Sequence, residues 1–277
     1  MKKLLIASTA LVMVAGAAAA EVKVTGSGEV GLNYASNATT NDFIVDYDLA
    51  VQFNMSGKTD TGLGFGASFE LNAKDDATAD PKLWVSGTWG KLTFVTADRG
   101  DGASGIGIAD VGYKGLGVDN VAEALFGKTA KNIGYRGTFG AVTVGVSYMA
   151  PVAFNSSPAT QGEWSIGVGY KAGDYKVGIA YDSLESLSIG GGATFGAISV
   201  NAMYTDRNGA SAWGVDGSYK LNSATTVTVA YADSDTAIEA AYGLGVAYSL
   251  GGGATLAGGI ASVAGVTYAN VGMTFDF

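Results

Sequence analysis

The sequence predicts an all-β fold, a transmembrane antiparallel β-barrel of about sixteen strands with an inward-folded third loop. After residue 20, apolar and polar residues alternate with a period of two over short segments, which is typical of strands with one apolar face. Residues 99–131 break this alternation and contain eight glycines. A segment this long without secondary structure is usually functional in a compact domain, so we expect this loop to enter the barrel.

Residues 1–20 have the features of a secretory signal peptide. Lys2 and Lys3 form a charged start, residues 4–14 are apolar, and small residues end at Ala20 before Glu21. We therefore expect cleavage after residue 20 and a mature barrel over residues 21–277, with the pore-constricting loop at 99–131.

The second predicted strand shows the alternation most clearly, because every odd position from Phe43 to Met55 is apolar and Asp42, Asp46 and Asp48 occupy even positions. The same period recurs along the chain, and polar or glycine-containing connections separate the segments. The predicted strands are 22–34, 42–55, 63–71, 83–85, 92–94, 133–139, 142–148, 164–170, 175–181, 187–195, 198–204, 213–221, 227–231, 238–248, 256–260 and 267–277.

Two further patterns favour a membrane barrel over a soluble sandwich. The apolar faces often end in tyrosine, as in Tyr34, Tyr148 and Tyr170, which is typical of interfacial aromatic girdles. Connections also alternate between tight turns and longer polar loops, with 73–80 among the longer ones. A closed barrel of this size encloses an aqueous channel too wide for side chains alone to fill, so we expect the loop to narrow it.

The composition excludes several function classes. The chain has no cysteine and no histidine, which removes disulfides, thiolate sites, serine triads and imidazole metal ligands. Loss of Lys2 and Lys3 changes the formal charge from −9 to −11, which argues against a nucleic-acid partner and favours a surface that attracts cations. The glycine runs at 190–192 and 251–253 do not lead from a strand into a helix and are not phosphate loops. We therefore expect no enzymatic activity and no required cofactor.

The chain resembles the general porins of Gram-negative bacteria, most closely the α-proteobacterial, Rhodobacter-like type. The matching features are the signal peptide ending in Ala18-Ala19-Ala20, the strand–turn–strand 89–94 before the long loop, the strand–turn–strand 132–140 after it, and the terminal Phe277. The resemblance covers the whole chain. The chain differs from typical members in being shorter and in having no dense arginine cluster in its first strands.

This resemblance implies a homotrimer of 16-stranded barrels in the outer membrane, in contact with membrane lipid and lipopolysaccharide. It also implies that the outer-membrane assembly machinery recognises Phe277, and that the third loop forms an eyelet that is acidic on the loop side and basic on the facing wall.

The loop supplies the first set of candidate pore residues. Carboxylates that line a constriction favour cations, and the loop also carries the cations Arg99 and Lys114. The predicted constriction residues are Asp101, Asp110, Asp119, Glu123, Arg99 and Lys114. Solvated acids that cap turns are the alternative interpretation. Glu123 also has a second alternative interpretation, because residues 120–123 match a capping box and Gly127 matches a C′ residue. In that interpretation residues 120–126 form a short helix, which Val121 and Leu125 pack against the wall.

The strands supply the second set, since charges at inward-facing positions face the lumen. The predicted wall residues are Arg136, Lys23, Asp46, Asp48, Glu70 and Lys176, with Lys171 and Lys220 also in phase. Sequence does not fix their height, so a solvated wall remains the alternative. Clustered loop acids with backbone carbonyls also match the ligand chemistry of Ca²⁺, although no metal site is assigned.

Together these features predict a passive diffusion channel for small hydrophilic solutes and ions that prefers cations. The alternative is a non-conducting structural or adhesive barrel in the outer membrane.

Overall fold

The computed structural model describes residues 21–37, 43–73, 77–151 and 161–277, with the backbone alone for 77–80, so the predicted signal peptide lies outside the described residues. The described residues form sixteen strands, and each predicted strand coincides with one of them in chain order. The strands β1–β16 are Glu21–Ala35, Phe43–Lys58, Gly64–Asn72, Ala77–Gly87, Gly90–Val95, Ile133–Phe139, Val142–Tyr148, Trp164–Ala172, Tyr175–Asp182, Ser186–Phe195, Ile198–Arg207, Ala210–Lys220, Thr225–Ser234, Ala241–Gly251, Ala254–Val263 and Val266–Asp276.

The strands close into a barrel in which every neighbouring pair is antiparallel. β1 pairs with β16 from Ser27 opposite Asp276 to Ala35 opposite Tyr268, so the first and last strands complete the ring. Closure satisfies the backbone hydrogen bonds of every strand without an open edge, as a hydrocarbon environment requires. The predicted all-β barrel is therefore confirmed.

The outer face is apolar and exposed. On β2, the alternate residues Phe43, Val45 and Tyr47 are 66%, 69% and 61% exposed. Phe53 stacks on Phe69 of β3 on this same face, with ring centroids 4.9 Å apart. The residues between them point inward, so the period-two pattern divides each strand between an apolar outside and a more polar inside.

Two strand boundaries differ from the prediction. β14 begins at Ala241 rather than at 238, because the N–H of Ala237 donates to the Ser234 carbonyl in a turn and leaves Ile238 85% exposed. β4 begins at Ala77, so the predicted loop 73–80 is wrong for its last four residues. The β3–β4 register shifts between Ser68 and Glu70, and such a bulge accommodates a proline such as Pro81 in the strand.

The segment between β5 and β6 is the third loop, and it folds into the barrel as predicted. It contains a 3₁₀ turn, Asp101–Ser104, and one short helix, α1, Val118–Ala122. None of the helices in the described residues is long and apolar enough to cross a membrane. The main buried apolar cluster lies between this loop and the wall, and its members are Ile108, Val111, Val118, Ala122, Phe126, Ala180, Met203, Ala230, Ala232, Ala241 and Ala261.

Candidate functional site

The outgoing limb of the loop follows the barrel wall strand by strand. It lies on inward-facing glycines, where a Cβ would collide with it. A Cβ built on Gly178 of β9 would lie 2.1 Å from the Ser104 carbonyl oxygen, and one on Gly214 of β12 would lie 2.7 Å from Ile108. Other glycines on this path are Gly134, Gly145, Gly167, Gly169, Gly243, Gly245, Gly259, Gly272 and Gly31, which follow the limb from Asp98 to Tyr113. Small wall residues therefore let the loop backbone pack directly on the sheet.

Three polar wall residues anchor this limb by accepting backbone N–H groups. The Ser165 hydroxyl accepts from Asp101 (3.1 Å), the Asp216 carboxylate from Ala109 (2.9 Å) and the Asn270 side-chain oxygen from Tyr113 (3.1 Å). Asp216 is only 2% exposed. None of the three is among the residues predicted from the sequence, where the available signal was an inward-facing polar residue on a glycine-rich strand after the loop.

The far turn of the loop is fixed to β1 and β2 by ionic contacts. Lys114 pairs with Glu29 and with Asp46, the latter at 3.1 Å between Nζ and Oδ2. The Asn33 amide also donates to Asp46 (3.1 Å). Burial opposes the charged ammonium, but hydrogen bonds to Glu29 and Asp46 prevail and raise the pKa of Lys114 above its ordinary value. At this contact the loop supplies the cation and the wall supplies the acids, the reverse of the implied eyelet.

Asp110 holds the turn that leads into α1. Its Oδ2 accepts N–H groups from Leu116 (2.7 Å) and Gly117 (2.6 Å), while Oδ1 accepts from Val111 (2.8 Å) and Val118 (3.2 Å). Converging backbone N–H groups form an anion-binding nest, here occupied by a side chain of the same loop. Gly115 is required at the close approach, since its φ is +83° and a Cβ there would lie 2.6 Å from Oδ2.

Two loop carboxyls, those of Asp119 and Glu123, have raised pKa values. Burial, the neighbouring Asp110 carboxylate and a hydrogen bond to it raise the pKa of Asp119 to about 6. Burial also raises the pKa of Glu123, although Arg99 and Lys128 oppose this shift. Both acids consequently lose charge at a higher pH than an exposed carboxyl does.

The predicted capping box does not form. Gly117, not Asn120, precedes α1, and this N-cap residue has no side chain with which to cap the helix. Asn120 lies within the helix and Glu123 lies at its C-terminal end, where its N–H donates to Asp119 O (2.8 Å). Asp110 instead binds the N–H groups that lead into the helix.

The return limb of the loop is fastened by two arginines. Arg99 donates to Gly127 O (2.9 Å) and to Asp101 Oδ1 (3.2 Å), so it joins the two limbs. Arg207 of β11 donates to Leu125 O (2.6 Å). Asp101 is 2% exposed. Arg99 and Asp101 thus serve the fold of the loop.

The predicted pinning residues lie against the wall. Leu125 is buried, and Val121 packs on the apolar cluster.

Away from the Lys114 contact, the inward face of β1–β3 stays open. Lys23 and Gln52 are exposed, and Asp48 and Glu70 are partly exposed. A cavity of about 310 Å³ lies here, and its lining includes Glu29, Asp48, Glu70 and Asp276. This side of the lumen is therefore acidic.

The β4–β6 side of the lumen is basic. Lys82 pairs with Asp98 (2.7 Å), the Lys91 ammonium lies 5.2 Å from the centre of the Trp84 ring, and Arg136 lies opposite Lys91 in register. Arg136 is near the β6–β7 turn. Of the predicted wall cations, Lys176 contacts the loop, with Nζ 3.4 Å from Gly105 O.

The described residues contain no group of three or more acidic side chains arranged to hold a metal ion. The Ca²⁺ site stays a prediction.

Comparisons with known proteins give one consistent family. A family model described as Gram-negative porin matches residues 7–267. A curated relative, the porin of Rhodobacter capsulatus, is 30% identical over 207 residues, which are 67% of this chain and 67% of that protein. Two solved structures of mutants of Rh. blastica porin are 20% and 21% identical, with TM-scores of 0.76 and 0.77, and the match covers 92% of this chain and 100% of theirs.

Proposed function

The chain belongs to the Gram-negative porin family, and we propose that it is a passive diffusion channel for small hydrophilic solutes and ions across the outer membrane. The observation that carries this proposal is the position of the third loop. It packs on the wall strands that follow it and leaves a polar, charged passage along β1–β5. Solutes move down their gradients through this passage, and the loop limits their size. The passage needs no catalytic group or cofactor, so we propose no enzymatic activity.

Liposome swelling tests this function. Purified protein in liposomes should produce swelling in isotonic solutions of small sugars, with rates that fall as sugar size rises. Empty liposomes and heat-denatured protein are the controls. Absence of swelling would refute the channel and favour a closed structural or adhesive barrel.

The channel should also prefer cations. The open side carries Asp48, Glu70 and Asp276, whereas Glu29 and Asp46 pair with Lys114. Acids along a water-filled passage raise the local concentration of cations. Reversal potentials under a KCl gradient in planar bilayers measure this preference, and an anion-selective potential would contradict it.

The family also suggests a location and partners. We propose an outer-membrane homotrimer in contact with lipid and lipopolysaccharide, assembled through recognition of Phe277. Phe277 is 76% exposed, although its backbone bonds to Gly26, so its ring is accessible to a recognition partner. Chemical cross-linking in native membranes should yield trimers, and removal of Phe277 should reduce the amount of assembled protein.

A further inference from the structure

The inward-facing cations gather at one end of the barrel. We call this end the inner mouth; it carries both ends of the described chain and the turns 59–63, 88–89, 140–141, 173–174, 196–197, 221–224 and 252–253. The inward-facing cations within a few residues of these turns are Lys23, Lys58, Lys91, Arg136, Lys171, Lys176 and Lys220. The carboxylates at this mouth, Glu21, Asp60, Asp174 and Asp276, are fewer, and Glu21 and Asp276 lie on neighbouring strands at the barrel seam. The inner mouth is therefore basic from β5 to β12.

The opposite end, the outer mouth, has the reverse balance. Asp46 faces inward from the outer half of β2 and Asp182 ends β9, whereas Asp48 and Glu70 line the same cavity as Asp276 and so lie further from this mouth. Glu163, Glu185, Asp235 and Glu239 lie in the described connections at this end. Among the described residues, the cations there are Arg207, Lys128 and Lys131, together with Lys114, which pairs with Asp46. Arg207 lies 4.0 Å from Asp182, so it offsets part of that acid. Acids thus predominate at the outer mouth.

Opposite charges at the two ends of one passage make its ion content depend on the direction of the field. When the outer side is positive, cations enter through the acidic mouth and anions through the basic mouth. Each mouth concentrates the ion that enters there, so the passage fills with carriers. When the field is reversed, each ion leaves through the mouth that favours it and enters through the one that repels it, and the passage is depleted.

Building on the proposed channel function, we propose that this chain rectifies ionic current and conducts better when the outer side is positive than when it is negative. Arg136, Lys171 and Lys220 set this direction from the inner mouth, and the acids of the outer mouth set it from the other end. The asymmetry requires that mouth charges act across the passage. It should therefore be measurable at about 0.1 M salt, where the Debye length is about 10 Å, and vanish at about 1 M, where it is about 3 Å.

Single-channel recording in a planar bilayer tests this inference. At about 0.1 M KCl, the ratio of current with the outer side positive to current with it negative should be about 2, falling towards 1 at about 1 M. The natural chain has no cysteine, so Ser223→Cys at a turn of the inner mouth gives a single thiol. After biotinylation, streptavidin added to one compartment reduces the current only if the inner mouth faces that compartment, which fixes the orientation.

Charge variants test the cause. Arg136→Gln, Lys171→Gln and Lys220→Gln together should bring the ratio to about 1 at low salt, because the basic mouth loses its field. The matched control is Arg136→Lys, Lys171→Arg and Lys220→Arg, which keeps each charge and should keep the ratio.

The outcomes separate the two proposals. Absence of any current would refute the channel and rectification together, whereas equal currents of both signs at low salt would refute rectification alone. A ratio below 1 in a channel of known orientation, or rectification that persists in the glutamine variant, would also overturn the inference.

Discussion

Replacement of Asp110 by asparagine tests whether this carboxylate holds the loop or filters ions. The carboxylate accepts four backbone N–H groups, two at each oxygen. An asparagine keeps one acceptor oxygen and turns an NH₂ group towards the remaining donors. Two charge-assisted hydrogen bonds are lost, at about 1.5–3 kcal/mol each, so opening of this turn should become easier by about 3–6 kcal/mol.

Hydrogen–deuterium exchange measures this change directly. Each 1.4 kcal/mol is about tenfold in an equilibrium constant, so the amides of Leu116 and Gly117 should exchange at least about a hundredfold faster in Asp110→Asn. Asp119→Asn is the matched control, because it removes a carboxyl from the same loop without breaking the four bonds, and its exchange should stay close to that of the natural chain.

The same pair of variants separates structure from selectivity. If Asp110 holds the turn, Asp110→Asn should also make the single-channel current noisier, because the loop samples more than one position. The structural role would be refuted if Asp110→Asn and Asp119→Asn gave equal exchange rates and the same shift in reversal potential. Asp110 would then act in ion selectivity.

Three further perturbations follow from the contacts of the loop. Gly178→Ala places a Cβ 2.1 Å from the Ser104 carbonyl oxygen, so it should lower the free energy of unfolding by about 1–3 kcal/mol and change the single-channel conductance. The control is Gly217→Ala, where the atom nearest to the new Cβ is 3.8 Å away. Equal conductance in the two variants would contradict the packing of the loop on Gly178. The raised pKa of Asp119, about 6, means that its charge is present above this pH and lost below it. The cation preference measured from reversal potentials should therefore be weaker at pH 5 than at pH 7.5. If Asp119→Asn shows the same change with pH, the titrating group is not Asp119. Lys114→Met should speed amide exchange in the far turn about fivefold, equivalent to ~1 kcal/mol, and unchanged exchange would show that the ion pairs do not fasten it.

The strand order could be predicted from sequence because the barrel imposes one simple rule. Apolar solvent lies outside and a wetter interior lies inside, so side chains such as Phe43 and Asp46 must alternate along each strand. The rule fails only locally. The predicted strand begins at Ile238, before the observed start of β14 at Ala241, because an exposed apolar residue in a connection can have the same phase as a strand.

The roles of the loop residues could not be predicted in the same way. The partners of Asp110 are backbone N–H groups up to eight residues away, and nothing in a residue pattern marks where those groups point. Asn120 and Glu123 have the spacing of a capping box, but Asp110 already binds the N–H groups that lead into the helix, so the helix begins earlier. Tertiary hydrogen bonding outweighed the local motif.

The glycines of the later strands show what sequence reasoning left unused. The sequence analysis assigns them no role, yet Gly178 and Gly214 face inward and support the loop. Inward-facing glycine weakens an isolated strand, since it has no side chain to pack. Repeated inward-facing glycine on successive strands therefore indicates that another segment of backbone packs on the sheet. These glycines occur from β6 to β16, which are the strands that the loop covers. The strands β2 and β3 carry inward-facing side chains such as Gln52 and Glu70 at comparable positions. The same pattern thus separates the covered wall from the open passage, which is the division that determines where ions flow.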